Sequence, residues 1–360
     1  MPRPTVARVD LDALRHNYTL ACEKAGTARA MAVVKADGYG HGIAAVAGAL
    51  ANLAPKYAVA CLEEARAIRA AGLAQPVVLL QGVHQPGDLA ECRERAFEPV
   101  LHSAEQLEWL AGAGTPPAFW LKVNSGMNRL GFGPGDLLAV VSGLGVASSR
   151  PALQGFVTHF ACADDPDSPM TDAQTAAFVS ATMPWPELMR SVGNSAAHFR
   201  PGQPLFDWSR PGIMLYGGSP VLGKTGPELG LRPVMRLEAP LMATRWLKPG
   251  DSVGYGAVWT ATVETRMGMV AVGYGDGYPR HAGTGTPAAV GGQRISLIGR
   301  VSMDMLAVDL SAAPDARTGD AVELWGDTVP IDEVAGHAGT ISYELMTGVT
   351  ARVPRLYSGN

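Results

Sequence analysis

The sequence is poor in cysteine, and its cysteines are not spaced for a zinc site or a disulfide framework. Both kinds of site repeat cysteines at short intervals, often as C-x-x-C pairs. The four cysteines of the 360-residue chain are scattered and form no such pair: Cys22, Cys61, Cys92 and Cys162. We therefore expect free thiols and no bound metal.

The chain also lacks an excess of basic charge and a long apolar run. Lysine and arginine number 29 against 33 acidic residues, for a net charge of −4. Because nucleic-acid binders normally carry a basic face, we expect no nucleic-acid partner. No apolar run approaches the roughly 20 residues of a membrane-spanning helix. Asp10 and Asp12 interrupt the first residues before a signal-peptide core could form, so the sequence predicts a cytoplasmic protein with no membrane partner.

The composition is that of a folded protein with a large core. Hydrophobic residues make up 47% of the chain and charged residues 17%, which excludes a disordered chain. At roughly 150 residues per domain, the length predicts about two domains.

Short apolar runs alternate with longer Ala-rich stretches through the first two-thirds of the chain. The strand candidates are Ala30–Val34, Tyr57–Ala60, Pro76–Leu80, Glu98–Leu101, Ala118–Lys122, Leu153–Thr158, Leu188–Val192 and Arg210–Leu215. The helix candidates are Leu11–Leu20, Ile43–Leu53, Leu62–Ala71, Ser103–Ala113 and Thr171–Thr182. Eight strands alternating with helices favour a closed (β/α)8 TIM-like barrel over an open doubly wound sheet, which usually has fewer strands.

The pattern changes from about Leu231 onward. The later segments read as strands separated by glycine-rich turns, as in MRLEAPLMATRWL, RMGMVAVGYG, RISLIGRVSMDMLAVDL and DAVELWG. We expect a barrel over residues 1–230 and an all-β domain over residues 231–360, with Gly217–Pro233 as a linker.

Lys35 stands at the carboxyl end of the first strand candidate, just before a glycine-rich turn. Barrel enzymes place catalytic groups at these strand ends. Desolvation lowers the pKa of a lysine and makes it a useful nucleophile and base. A solvent-reaching lysine at a strand terminus explains its position equally well.

Polar residues also stand at the ends of other strand candidates, where we expect the mouth of the barrel. Lys122 and His159 close the fifth and sixth candidates, and Arg129 lies in the loop after Lys122. Asn194 and Ser195 follow the seventh candidate, and Arg210 opens the eighth. The loops after strands 7 and 8 commonly bind phosphate in this fold, and here they supply Ser195, Gly212 and Ile213. A lysine nucleophile beside a phosphate site suggests pyridoxal phosphate (PLP) as cofactor.

The β region contains tyrosines in glycine-rich surroundings. Tyr255 lies in DSVGYGAVW, Tyr274 and Tyr278 in VAVGYGDGYPR, and Tyr343 in TISYELM. Taken singly, these tyrosines are also the ordinary content of a β domain.

Together these segments resemble those of alanine racemases, PLP enzymes that interconvert L- and D-alanine. The matching motifs run in order from DLDAL to RVPRLY and include VVKADGYGHG, GMNRLGF, THFA, NSAA, RPGIMLYG, GYGDGYPR, SMD and TISYEL. The resemblance implies a PLP-binding barrel, a C-terminal β domain and a homodimer with shared active sites. It also implies a role in supplying D-alanine for peptidoglycan.

The resemblance also implies residue roles. Lys35, which would hold PLP covalently, and Tyr255, from the partner subunit, would be the two catalytic bases. The implied cofactor contacts are Lys35, Tyr39, His159, Ser195, Arg210, Gly212, Ile213 and Tyr343. Arg129 and the backbone of Met303 would hold the substrate carboxylate, and Lys122 matches a lysine that is carbamylated in many members. The implied entry-channel residues are Asp164, Tyr274, Arg280 and Arg300.

One position departs from the family pattern, and three other activities stay open. Ser302 stands where many members have cysteine, which affects pocket polarity more than reaction type. A racemase acting on serine or on a broader range of amino acids is one alternative. The others are a non-catalytic PLP carrier, which would lack the β domain, and a PLP decarboxylase.

Overall fold

The computed structural model describes residues 5–144 and 152–359. The strands in these residues are β1 (Val6–Asp10), β2 (Arg29–Ala30), β3 (Ala32–Val33), β4 (Tyr57–Val59), β5 (Val77–Leu79), β6 (Phe97–Leu101), β7 (Phe119–Lys122), β8 (Leu153–Val157), β9 (Met189–Ser191), β10 (Trp208–Ser209), β11 (Met235–Leu247), β12 (Ser252–Val253), β13 (Trp259–Thr260), β14 (Thr265–Val270), β15 (Pro287–Val290), β16 (Gln293–Ile298), β17 (Leu306–Asp309), β18 (Ala321–Trp325) and β19 (Arg355–Ser358).

Helices connect most of the parallel strands and follow the last antiparallel ones. They are α1 (Leu11–Ala25), α2 (Lys35–Tyr39), α3 (Ile43–Ala49), α4 (Leu62–Ala70), α5 (Asp88–Glu94), α6 (Ala104–Gly112), α7 (Leu137–Gly143), α8 (Met170–Thr182), α9 (Ile331–Ala338) and α10 (Ser342–Gly348). Within the described residues, no helix is long and apolar enough to cross a membrane.

Strands β2 to β10 form the predicted closed parallel barrel. Strands β2 and β3 are two halves of one barrel position, and each half pairs with a different neighbour. Strand β2 pairs with β10 through Arg29 and Trp208, whereas β3 pairs with β4 through Ala32 and Tyr57. This pairing joins the first and last strands, which an open doubly wound sheet does not do.

The eighth strand candidate is wrong in its position. The structure has the strand at Trp208–Ser209, and Ile213–Tyr216 forms a buried 3₁₀ helix. Pro211 carries no backbone N–H for a sheet, and the Leu215 N–H donates to the Gly212 carbonyl oxygen at 2.8 Å. A short, fully buried apolar run has no periodicity that separates a strand from a helical turn.

The second sheet, which is antiparallel except for the parallel pair of β1 and β19, has the order β14-β17-β16-β15-β18-β11-β1-β19. Strand β11 matches the segment MRLEAPLMATRWL, and it pairs with β1, β14 and β18. The N-terminal strand β1 thus joins the sheet of the C-terminal half before the chain enters the barrel. The division of the chain at residues 230 and 231 stays a prediction.

Helices α9 and α10, which the sequence analysis did not predict, follow the sheet. Helix α10 packs against α2, the segment that begins with Lys35. Asp332 on α9 accepts hydrogen bonds from the Ser219 and Gly226 N–H groups at 3.0 and 2.8 Å. These contacts fix the C-terminal half beside the carboxyl ends of the barrel strands.

Charged groups near the amino ends of the barrel strands are paired. The Lys56 ammonium lies 2.6 Å from the Glu98 carboxylate, and Trp120 Nε1 donates to the same carboxylate at 2.8 Å. Both charged side chains are buried, so their pairing offsets the cost of desolvating them. The opposite end of the barrel has a different distribution of charge.

Candidate active site

A cavity of about 860 Å³ opens at the carboxyl ends of the barrel strands. Its walls include eleven of the residues that the sequence analysis singled out: Lys35, Tyr39, Lys122, Arg129, His159, Asn194, Ser195, Arg210, Gly212, Ile213 and Tyr343. Helix α10 supplies Tyr343, and the barrel supplies the other ten. The structure therefore brings the predicted residues of the barrel strand ends, together with Tyr343, into a single cavity.

Lys35 lies two residues after the end of β3, where α2 begins, and is partly buried. Burial lowers the pKa of its amine, because the charged form loses hydration. The positive charge of Arg129 lowers this pKa further, and the carboxylate of Glu64 acts in the opposite direction. The amine therefore becomes neutral, and nucleophilic, at a lower pH than an ordinary lysine.

Ser195, Gly212 and Tyr39 form a tightly packed wall of the cavity. The Gly212 N–H donates to Ser195 Oγ at 2.7 Å, and the Met214 N–H lies 3.4 Å from the same oxygen. A Cβ atom on Gly212 would lie 2.5 Å from Tyr39 Oη, so a larger residue there would have to displace the Tyr39 hydroxyl. The Tyr39 ring stacks on Tyr216 with centroids 4.6 Å apart. Burial raises the pKa of the Tyr39 hydroxyl, which therefore stays protonated as a hydrogen-bond donor.

Arg210 is buried and held by acceptors at the ends of neighbouring strands. Its Nη1 donates to Ser191 Oγ at 2.6 Å, and its Nη2 donates to the Thr158 carbonyl oxygen at 2.5 Å. Nη2 also lies 3.5 Å from His159 Nδ1. Burial lowers the pKa of Arg210 to about 10, so the guanidinium stays charged at neutral pH.

His159 and Lys122 lie beside this guanidinium and favour their neutral forms. Burial, and then the charge of Arg210, lowers the pKa of each side chain well below its usual value. Glu344 is the only acid among the described residues that line the cavity. The cavity is therefore electropositive and suited to anionic groups.

Apart from Tyr343, the predicted residues of the C-terminal half lie elsewhere in the single chain. Tyr255 is 71% exposed and Met303 is 53% exposed, and neither lines the cavity. Tyr274 and Met303 are neighbours, because the Gly275 N–H donates to the Met303 carbonyl oxygen at 2.8 Å. Gly256 follows Tyr255 and is close to Arg300. A Cβ atom built on Gly256 would lie 3.1 Å from Arg300 Nη1. These residues form a second group on the β domain.

The remaining two entry-channel candidates also lie outside the cavity wall. Asp164 is partly buried, and its charge contributes to raising the pKa of Tyr343. Arg280 is exposed.

Sequence reasoning missed Glu64, whose carboxylate accepts hydrogen bonds from the Ala36 and Ala60 N–H groups, each at 2.7 Å. Its signal was a carboxylate in the first turn of a helix, a position that favours negative charge. That pattern alone does not show which backbone groups the carboxylate contacts.

Two family models match the chain in tandem. Residues 9–220 match the alanine racemase N-terminal domain, and residues 234–357 match the alanine racemase C-terminal domain. The chain belongs to the alanine racemase family. An alanine racemase from Marinobacter nauticus is 70% identical over 99% of this chain and all of the relative.

Solved alanine racemases share the whole fold. The biosynthetic alanine racemase from Pseudomonas aeruginosa has a TM-score of 0.95 and 47% identity, over 99% of this chain and 100% of that one. An alanine racemase from Bartonella henselae with covalently bound pyridoxal phosphate has a TM-score of 0.87 and 26% identity, over 99% and 100% of the two chains. The predicted alanine racemase function and the barrel with a C-terminal β domain are confirmed.

Proposed function

We propose that this chain interconverts L- and D-alanine with PLP held on Lys35 and with Tyr255 of a partner subunit as the second base. The observation that carries the proposal is that one cavity is lined both by Lys35, whose amine has a lowered pKa, and by the hydrogen-bonded pair of Ser195 and Gly212. The members of the alanine racemase family are PLP-dependent, which supports the cofactor.

The chemistry of the cavity fits PLP. A phosphate needs hydrogen-bond donors and a close approach to backbone, and the wall at Gly212 has no room for a Cβ atom. Ser195 and Tyr39 offer hydroxyls there, with Ile213 and Tyr343 on the same cavity wall. The electropositive lining suits both a phosphate and a substrate carboxylate.

The reaction requires a proton to leave one face of the α-carbon and another to arrive on the opposite face. When bound, PLP spreads the negative charge that develops at the α-carbon. The Lys35 amine, favoured in its neutral form, accepts or returns the proton on one face. The Tyr255 hydroxyl does the same on the other face, so neither group has to swing around the substrate.

A homodimer explains why Tyr255 is exposed and lies outside the cavity of its own chain. In this arrangement the β domain of one subunit covers the barrel mouth of the other. Tyr274, Arg280, Arg300 and Asp164 would then line the path by which alanine enters.

Arg210 would face the ring nitrogen of PLP. Because the guanidinium stays charged and offers only donors, it leaves that nitrogen largely unprotonated. His159 lies behind it with Nδ1 near Nη2. This arrangement limits charge delocalisation into the ring and so suppresses side reactions such as transamination.

Arg129 and the Met303 backbone would hold the substrate carboxylate, and Lys122 would orient Arg129. The Lys122 amine favours the neutral form, which can add to carbon dioxide. The nitrogen would form a bond to the carbon as one C=O π bond opens onto oxygen, and it would lose a proton to solvent, giving a carbamate anion. That anion would balance the charges of Arg129 and Arg210.

Borohydride reduction tests the attachment of PLP directly. Reduction of the PLP-loaded protein followed by peptide mass mapping should find the cofactor on the peptide that contains Lys35. A reduced cofactor on another lysine, or none, would contradict the proposal.

Turnover compared across L-amino acids would measure selectivity for alanine over serine. A cytoplasmic location and a role in supplying D-alanine for peptidoglycan belong to the same proposal.

A further inference from the structure

The turn that follows Lys35 has an unusual backbone conformation. Ala36, Asp37 and Tyr39 have φ values of 52°, 53° and 53°, and Gly38 between them has 62°. Residues with side chains rarely adopt the left-handed region, and then mostly as single residues. Gly40, with a φ of 80°, continues the run. Five consecutive left-handed residues therefore need contacts from elsewhere in the fold to hold them.

Glu64 supplies such a contact at the first peptide of the turn. One carboxylate oxygen accepts from the Ala36 N–H at 2.7 Å, and the other accepts from the Ala60 N–H at 2.7 Å. Ala60 directly follows β4, the barrel strand that pairs with β3. One side chain thus ties the peptide after Lys35 to the end of the neighbouring strand.

The surroundings of Glu64 fix its position. It lies in the first turn of α4, where the helix dipole favours a carboxylate, and it is partly buried. The segment α2, which contains this turn, packs against both α4 and β4. Asp37 holds the far side of the turn by accepting from the Ile43 N–H at 2.8 Å. The turn is therefore anchored at both ends by carboxylates.

We propose that Glu64 is a positioning residue for Lys35. Its carboxylate holds the left-handed turn at Ala36 and so fixes the direction from which the Lys35 side chain enters the cavity. The inference rests on the proposed role of Lys35. Glu64 does not line the cavity, so it acts through Lys35 without touching cofactor or substrate.

The test compares Glu64→Gln with Glu63→Gln in the full-length protein. Both remove one carboxylate from the first turn of α4, but Glu63 is exposed and makes no hydrogen bond to the turn after Lys35. In Glu64→Gln, an amide NH₂ faces one of the two N–H groups. We expect PLP to load onto the apoprotein about tenfold more slowly and kcat to fall about tenfold, with KM for alanine within about twofold. The circular dichroism band of bound PLP should change. Glu63→Gln should match the wild type.

Ala36→Gly in the Glu64→Gln background separates positioning from a general loss of stability. Glycine adopts the left-handed region without steric cost. The double variant should therefore recover PLP loading and kcat by about threefold or more over Glu64→Gln. Absence of recovery, or a Glu64→Gln protein with the loading rate and spectrum of Glu63→Gln, would overturn the proposal. A wild type that shows no PLP band would instead contradict the proposed function.

Discussion

The Arg210 guanidinium lies against the His159 imidazole, with 3.5 Å between Nη2 and Nδ1. Burial lowers the pKa of both side chains, but only Arg210 stays charged at neutral pH. His159 in its neutral form can offer Nδ1 as an acceptor, as the Thr158 carbonyl oxygen does. The result is a fixed cation that presents only donors to whatever occupies the cavity.

Arg210→Lys should weaken racemisation and increase transamination. Lysine keeps the charge but loses the planar fork that reaches Ser191 and Thr158 together. We expect kcat to fall about 100-fold and pyruvate to form from alanine more often per turnover. The control is Arg200→Lys. Arg200 also donates hydrogen bonds to carbonyl oxygens, but it lies away from the cavity. A variant with wild-type kcat and no added pyruvate would argue against the role of Arg210.

Ser195→Ala should weaken the hold on PLP more than it slows the reaction. The substitution removes the oxygen that accepts from the Gly212 N–H at 2.7 Å. We expect the dissociation constant of PLP to rise about tenfold, as for the loss of one good hydrogen bond. Equilibrium dialysis of the apoprotein measures it. Ser103→Ala, which removes the cap of α6, is the matched control and should leave PLP affinity unchanged.

Tyr255→Phe should impair L-to-D turnover far more than PLP binding. A general base contributes about 100- to 10,000-fold, and phenylalanine has no hydroxyl to exchange a proton. Turnover and the PLP absorbance band, measured on one preparation, separate the two effects. Equal rates in wild type and variant would exclude Tyr255 as the second base.

Mixed dimers of Lys35→Ala and Tyr255→Phe test whether active sites are shared. If Tyr255 serves the partner, one site of the mixed dimer carries both substitutions and the other site carries neither. Co-expression should therefore restore racemisation that each variant lacks alone. If both residues of a site come from one chain, the mixed dimer stays inactive.

Stability should fall in mild acid because of His198. This buried imidazole contacts the Asn194 carbonyl oxygen and Ser209 Oγ, and burial lowers its pKa to about 4. The unfolded chain keeps a histidine pKa of about 6.5, so between these values only the unfolded state binds the proton. The stability that the neutral His198 imidazole contributes is fully present above about pH 6.5 and is lost as pH falls toward 4.

Urea unfolding at several pH values measures this dependence. The free energy of unfolding should decline less steeply between pH values of about 6.5 and 4 in His198→Gln than in the wild type. His337→Gln, at an exposed histidine, is the control. An unchanged pH dependence in His198→Gln would contradict the assignment to this residue.

Periodic segments were predictable from the sequence, and contacts between distant segments were not. Strand β11 was found as MRLEAPLMATRWL because its apolar residues and turn boundaries mark a strand. The apolar run at Ile213–Tyr216 carried no period, and its 3₁₀ form depends on Pro211 and Gly212. The role of β1 was missed because its partners lie more than 200 residues away.

The residues of the candidate active site divide in the same way into those that a local pattern predicts and those that depend on contacts between distant segments. Strand-end position was enough to single out Lys35, Lys122 and His159, because parallel strands in a barrel end at one face. The bridge made by Glu64 joins two backbone groups 24 residues apart, at Ala36 and Ala60, and no local pattern encodes it. The role of Tyr255 came only through the resemblance to alanine racemases.

A chiral assay of the purified protein with L-alanine and PLP, run beside Lys35→Ala, tests whether the chain racemises alanine through Lys35. We expect D-alanine from the wild type and none from Lys35→Ala, whose PLP absorbance band should also be lost. D-Alanine formed at the wild-type rate by Lys35→Ala would contradict the assignment of Lys35. A wild type that binds PLP at Lys35 yet forms no D-alanine would contradict the proposed two-base reaction.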